Sequence, residues 1–265
     1  MIDKEIYGPW AVIAGGSEGV GASFAHQLAD AGLNLVLIAR KPEPLADTAA
    51  AVRTKGVEVR TIELDLLEPQ ALSRVRAVTD ELEVGLLIFN AGANTYGHEF
   101  VSGEPERVQG VIDLNITAQL TLAQHFGALM AERRRGGIML VGSLAGYLGQ
   151  AQISIYSAVK AFSRVFAEGL WLEMREYNVD VLELVLGVTR TPSMARAGLN
   201  FDIPGLNVSE PDDVAREGLA HLAHGPVLVA GNNQQTAEQR SGFPRDKLVL
   251  DAHEASKRLL PDEND

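Results

Sequence analysis

Seven short apolar runs punctuate the chain, and their alternation with helix-patterned stretches constrains the fold more than any other feature. The runs are "WAVIA" (10–14), "LVLIA" (35–39), "EVRTIEL" (58–64), "GLLIFN" (85–90), "GIMLVG" (137–142), "VDVLELVL" (179–186) and "PVLVAG" (226–231). Their length and β-branched content mark buried strands. Helical patterns occupy residues 20–31, 43–54, 69–82, 105–134, 155–177 and 211–223. Parallel strands need crossover connections, so this order predicts an α/β fold: a doubly wound parallel sheet of about seven strands flanked by helices on both faces. A hydrophobic content of 46% over 265 residues can fill one large core, which predicts a single domain over residues 1–265.

Boundary signals support the helices. "AERRRGG" closes the fourth with cations in the last turn and glycines beyond it, and "SEPDDVAREGLAHL" opens the sixth with a serine cap, a proline and acids in the first turn. One connection is long, residues 188–210, and is expected to be a functional substrate loop. The C-terminal extension, 232–265, begins polar and ends acidic, with an amphipathic helix expected near 246–260.

Composition narrows the function classes. A formal charge of -12 argues against a nucleic-acid partner, which would need a basic face. The absence of cysteine removes disulfides and thiolate metal sites, and fits a reducing, cytoplasmic setting. His221 and His224 lack further ligands at metal spacing, so no metal site is expected. The N-terminal stretch is too polar for a signal peptide, and no apolar run reaches about 18 residues, so no membrane insertion is expected.

"AVIAGGSEGVGASFAHQLADAG" follows the first strand and opens the first helix. Gly15, Gly19 and Gly21 space it as GxxxGxG, letting backbone N–H groups and a helix N-terminus approach a pyrophosphate. At the end of the second strand, where an acid would bind the ribose 2′-hydroxyl of NAD, stand Ala39, Arg40 and Lys41. Cations there favour the 2′-phosphate of NADP. Glu18, inside the turn, argues the other way, so NAD stays open.

Tyr156 and Lys160, in "YSAVK", lie four apart and so share a helix face. A cation beside a phenol favours its ionised form, which can make tyrosine an acid–base catalyst. Chance supplies such a pair in roughly one chain of this composition in ten, so the pair alone is not diagnostic. Ser143 ends the fifth strand at the carboxyl edge of the sheet, where ligands bind in open α/β folds.

These residues together resemble the short-chain dehydrogenase/reductase family. The likeness is carried by "AGGSEGVG", "ELDLLEP", "NAG" at 90–92, Asn115 in "VIDLNITAQ", Ser143, "YSAVK" and "GVTRTP" at 187–192, in family order over about residues 8 to 231. The resemblance implies a Rossmann-type fold and an NAD(P)-dependent oxidoreductase acting on a carbonyl or secondary alcohol. It implies Tyr156 as the general acid–base, Ser143 orienting the carbonyl, Lys160 lowering the Tyr156 pKa and holding the nicotinamide ribose, and Asn115 holding a relay water. It implies cofactor contacts from Gly15, Ser17, Glu18, Gly19, Val20, Gly21, Arg40, Lys41, Asp65, Leu66, Asn90, Ala91, Gly92, Gly187, Thr189 and Thr191, besides Tyr156 and Lys160. Within that set Asp65 would accept from the adenine amino group and Thr191 would bind the carboxamide. A homodimer or homotetramer built on the two long helices is also implied.

Two positions depart from the family pattern. Ala14 replaces a threonine whose hydroxyl can tie the glycine turn to "NAG", and Leu186-Gly187 replaces proline-glycine, which predicts a less rigid substrate loop. Met194, Leu199, Phe201, Ile203 and Leu206 in that loop suit either a lid over an apolar, steroid- or lipid-like carbonyl or alcohol or ordinary packing of the loop on its own core. Tyr96 and His98, just after "NAG", are weaker candidates for the pocket wall, a solvated loop being the favoured reading. A lyase or isomerase on the same fold, or a dinucleotide-sensing regulator, are the alternative functions, because fold alone does not choose among them.

Overall fold

The computed structural model describes residues 2–93 and 96–256. Its strands are β1 (Trp10–Ala14), β2 (Asn34–Ala39), β3 (Val59–Glu63), β4 (Val84–Phe89), β5 (Gly136–Ser143), β6 (Val179–Leu186), β7 (Val188–Thr189), β8 (Val208–Ser209) and β9 (Val227–Val229). The helices are α1 (Lys4–Tyr7), α2 (Gly19–Asp30), α3 (Pro42–Arg53), α4 (Ala71–Thr79), α5 (Pro105–Ile112), α6 (Ala118–Arg133), α7 (Ser154–Met174), α8 (Pro192–Arg196), α9 (Pro211–His221), α10 (Gln234–Ser241) and α11 (Arg245–Ser256). Seven strands form one parallel sheet in the order β3-β2-β1-β4-β5-β6-β9, the doubly wound arrangement expected. The order reverses between β1 and β4, and at such a switch point a crevice opens beyond the strands' carboxyl ends.

Both faces of the sheet are covered, which is why the central strands read as unbroken apolar runs. One core packs Phe24 and Leu28 of α2, Leu45 and Ala49 of α3 and Val214 and Leu219 of α9 against the sheet. The other packs Val75 of α4, Leu122 and Phe126 of α6 and Ala167 and Met174 of α7 against the opposite face. No helix among the described residues is long and apolar enough to cross a membrane.

The structure corrects several local expectations. The pattern over 105–134 is one continuous helical path to Arg133, but a π-helical turn, Asp113–Thr117, interrupts its α-helical bonding between α5 and α6. Asn115 Nδ2 donates to the Val111 carbonyl (2.9 Å), so a side chain takes an acceptor that a regular helix reserves for its backbone. After α6 the left-handed cap is Arg134 (φ 54), while Gly136 and Gly137 begin β5. Glycine is needed there because a Cβ on Gly136 would stand 2.7 Å from Met130 Cγ, and one on Gly137 2.9 Å from the Tyr7 ring. Ser209 does not cap α9. It lies in β8, and Glu210 is the N-cap residue, without a side-chain cap bond.

The 188–210 connection is more ordered than a loop. β7 pairs with β8, and α8 lies between them, bracing the segment without the proline that Leu186 replaces. In the C-terminal extension α11 starts at Arg245 and is described to Ser256, the rest of the expected 246–260 helix lying outside the described residues. α10 precedes it and packs Ala237 against Leu144 and Val185.

Candidate active site

The glycine turn joins β1 to α2 at the switch point, and each glycine has a steric reason. Gly15 (φ +82) and Gly19 (φ +56) occupy left-handed backbone that other residues rarely adopt. A Cβ on Gly15 would lie 3.0 Å from Ala91 N, and one on Gly21 would run into the Gly15 carbonyl. Asn90 N donates to Ala14 O (2.9 Å) and Asn90 Nδ2 to Gly15 O (2.9 Å). The tie between turn and "NAG" segment therefore exists without the threonine hydroxyl that Ala14 lacks. Thr48 Oγ1 donates to the Ser17 carbonyl (2.8 Å), holding the turn from α3, while Val20 is buried in the core.

Past the end of β2, Arg40 lies 3.7 Å from Asp65 and Lys41 3.6 Å from Glu18. Asp65 also accepts from Leu67 N (3.1 Å), which explains its local order without a helix cap. Glu18 does not stand alone in the turn: Arg196 of α8 grips both its oxygens, one at 3.0 Å. That hydrogen-bonded guanidinium, more than any other cause, holds the Glu18 carboxyl below its usual range. Its negative charge is compensated, which weakens the case for NAD that Glu18 raised.

The chemical groups converge on β4, β5, α7 and the π-helical turn. Lys160 is 4% exposed and donates to the Val141 carbonyl (2.9 Å). A Cβ on Gly92 would stand 2.5 Å from Lys160 Nζ and 2.6 Å from Asn115 Oδ1, so the missing side chain leaves the space where those two groups meet. Asn115 donates to Ala93 O (3.0 Å) and Val111 O, leaving its buried Oδ1 without a partner among the described residues. Ser143 Oγ accepts from Ala145 N (3.1 Å), which keeps its own hydrogen available to donate.

Tyr156 lies one helical turn before Lys160, whose Nζ is 5.7 Å from its ring centre. Burial raises the Tyr156 pKa, and the Ser143 hydroxyl opposes that rise. Lys160 itself is pulled down to about 8 by burial. The expected lowering of the phenol by Lys160 is therefore not what dominates: displacement of water from the ring does.

These groups line one cleft of ≈ 480 Å³, together with Gly15, Ser17, Glu18, Gly19, Val20, Arg40, Lys41, Asp65, Leu66, Asn90, Ala91, Gly92, Gly187, Thr189 and Thr191. Gly21 is not in its wall but shapes it from behind through Gly15. Asn115 likewise stands behind the wall. Thr191 Oγ1 accepts from Met194 N (3.3 Å) as the cap of α8, and Thr189 Oγ1 donates to Gly187 O (3.2 Å). Of the five apolar loop residues named above, Met194 lines the cleft while Phe201 stacks under Arg190. Tyr96 and His98 stack on each other outside it. Sequence reading missed Arg196, Asn233, which fills the space a Gly187 side chain would need, and the cleft residues Leu114, Ile153 and Leu186. Arg196 and Asn233 lie outside every quoted motif, whereas Leu114 and Leu186 sit within or beside motif residues and Ile153 just before "YSAVK", with nothing in their spacing to show that they face the cleft.

A dinucleotide fits this cleft on physical grounds: a cradle that side chains would block, a helix N-terminus facing it, and cations beyond β2. The fold and the convergent serine, tyrosine and lysine define an NAD(P)-dependent oxidoreductase acting on CH–OH/C=O groups. The sequence profile of the short chain dehydrogenase family matches residues 9–200, and the chain belongs to the short-chain dehydrogenase/reductase family. It is 32% identical to a 7beta-hydroxysteroid dehydrogenase of Collinsella aerofaciens over 93% of this chain and 95% of that one. Among solved structures, a 7beta-hydroxysteroid dehydrogenase studied for its stereoselectivity superposes with a TM-score of 0.85 at 27% identity, covering 94% of this chain and 98% of the other. A short-chain dehydrogenase from Sphingobium yanoikuyae in complex with NADPH gives 0.78 at 29% identity, covering 97% and 98%.

Proposed function

We propose that this chain is an NADPH-dependent reductase of bulky apolar ketones of the hydroxysteroid type. One observation carries the reading: Ser143, Tyr156 and Lys160 share a cleft wall with the glycine turn, with Asn115 directly behind. When bound, the nicotinamide supplies or accepts the hydride. Ser143 donates to the substrate carbonyl, and Tyr156, protonated at neutral pH, delivers the proton to that oxygen. Lys160 would bind the ribose hydroxyls, and during reduction protons would pass inward from a water held on Asn115 Oδ1, which has no partner among the described residues, through Lys160 to refill Tyr156. Gly15, Ser17, Gly19 and Val20 take the pyrophosphate, Arg40 and Lys41 the 2′-phosphate, Asp65 and Leu66 the adenine, and Gly187, Thr189 and Thr191 the nicotinamide side.

Apolar side chains at the cleft, among them Met194, Leu186 and Ile153, suit a hydrophobic substrate, as do the hydroxysteroid dehydrogenases to which the chain is similar. One domain would carry both cofactor and substrate sites. The enzyme would work in the cytoplasm as a homodimer or homotetramer, since α7 exposes Phe162, Val165 and Leu172 along one side. A panel of steroid and small polar carbonyls, followed by NADPH absorbance, tests the reading. Tyr156→Phe should lower kcat by about 10²–10⁴-fold with the Kd for NADPH little changed. Near-normal turnover by that variant, or faster reduction of small polar carbonyls, would overturn it.

A further inference from the structure

β6 carries a carboxylate in a row of apolar residues. Strand alternation turns Glu183 to the same side as Val181 and Val185, the face that α7 and α10 cover. Glu183 is 1% exposed, and neither oxygen has a hydrogen-bond partner of good geometry among the described residues. It presses on β5: a Cβ on Gly142 would run into its carboxyl group. Gly142 lies between Val141, whose carbonyl receives Lys160, and Ser143.

The ionisable groups facing Glu183 are few. Lys160, Arg164 and Glu168 come from α7 and Tyr147 from the turn after β5, with the Ser163 hydroxyl, which accepts from Gln119, as the neutral polar neighbour. Arg164 is already held by Glu168 (3.1 Å). Glu183 is the acid whose charge acts on Lys160. A buried carboxyl without hydrogen bonds either keeps a proton or leans on a nearby cation.

We propose that Glu183 is a positioning residue whose charge, acting across the Val141–Ser143 backbone, sets the pH at which Lys160 loses its own. The proposal rests on the reading of Lys160 as the cation that serves Tyr156. Burial pushes Glu183 up to about 8 and pulls Lys160 down to about 8, while each charge favours the other, so the two titrate as a pair.

Two measurements test it. In kcat/KM for ketone reduction, Glu183→Gln removes the anion that favours charged Lys160, so the alkaline limb moves to lower pH by about one unit. Glu183→Asp should restore part of the shift. An unmoved limb, with only thermal stability changed, would mean a merely structural carboxyl and overturn the proposal. Infrared difference titration reads the acid without turnover. A carboxylic-acid band persists at neutral pH, is lost in Glu183→Gln and moves to higher pH in Lys160→Met. A band that ignores the lysine, or no such band, would overturn the coupling. If Tyr156→Phe stays active, the assignment of the phenol fails, yet the infrared titration still reports the pair.

Discussion

Gly21 shows how a single residue can decide whether the cofactor site exists. A Cβ there would run into the Gly15 carbonyl and lie 2.8 Å from Asn90 Nδ2, the donor that ties the same carbonyl to the sheet edge. Gly21→Ala should therefore displace the turn and raise the Kd for NADPH, measured by calorimetry, by at least about 10-fold while the protein stays folded. The requirement for glycine was legible from spacing alone, because the motif encodes close backbone approach. Tyr156 and Lys160 were legible for a similar reason, since residues four apart must share a helix face. The direction of the Tyr156 shift was not, because burial depends on what the rest of the chain places around the ring.

Short elements were the hardest to read. α8 has five residues inside a 23-residue connection, too few to show periodicity, yet it carries Arg196 onto Glu18 of the glycine turn. That pair couples the 188–210 segment to the glycine turn. Arg196→Ala should uncover the Glu18 charge and weaken NADPH binding by about 2- to 5-fold, the scale of a partly exposed ion pair. Calorimetry on Arg196→Ala, Glu18→Gln and the double variant checks it: the loss should vanish when Glu18 is already neutral. The C-terminal extension was equally opaque, because α10 is polar nearly all round. Arg240 of α10 donates to Leu144 O (3.1 Å) and Arg245 of α11 to Tyr147 O (3.2 Å), so both helices support the turn that follows Ser143.

Across the whole molecule, the exposed apolar side of α7 is the feature a lone subunit leaves unexplained. Val165 and Leu172 are 59% and 62% exposed, seven residues apart on one face. Leu172→Glu should shift sedimentation toward the monomer with the fold intact, and a wild-type chain that already sediments as a monomer would remove the oligomer from the reading. The order of strands and helices, the glycine turn and the serine–tyrosine–lysine set were readable in the linear chain, because periodicity, chain stiffness and residue spacing act locally. The π-helical turn at Asn115, the Arg196–Glu18 pair and the burial of Glu183 against Gly142, beside the Val141 carbonyl that Lys160 binds, were decided only by the tertiary structure. Each joins groups that the chain brings together by packing, and burial among those groups sets their charge.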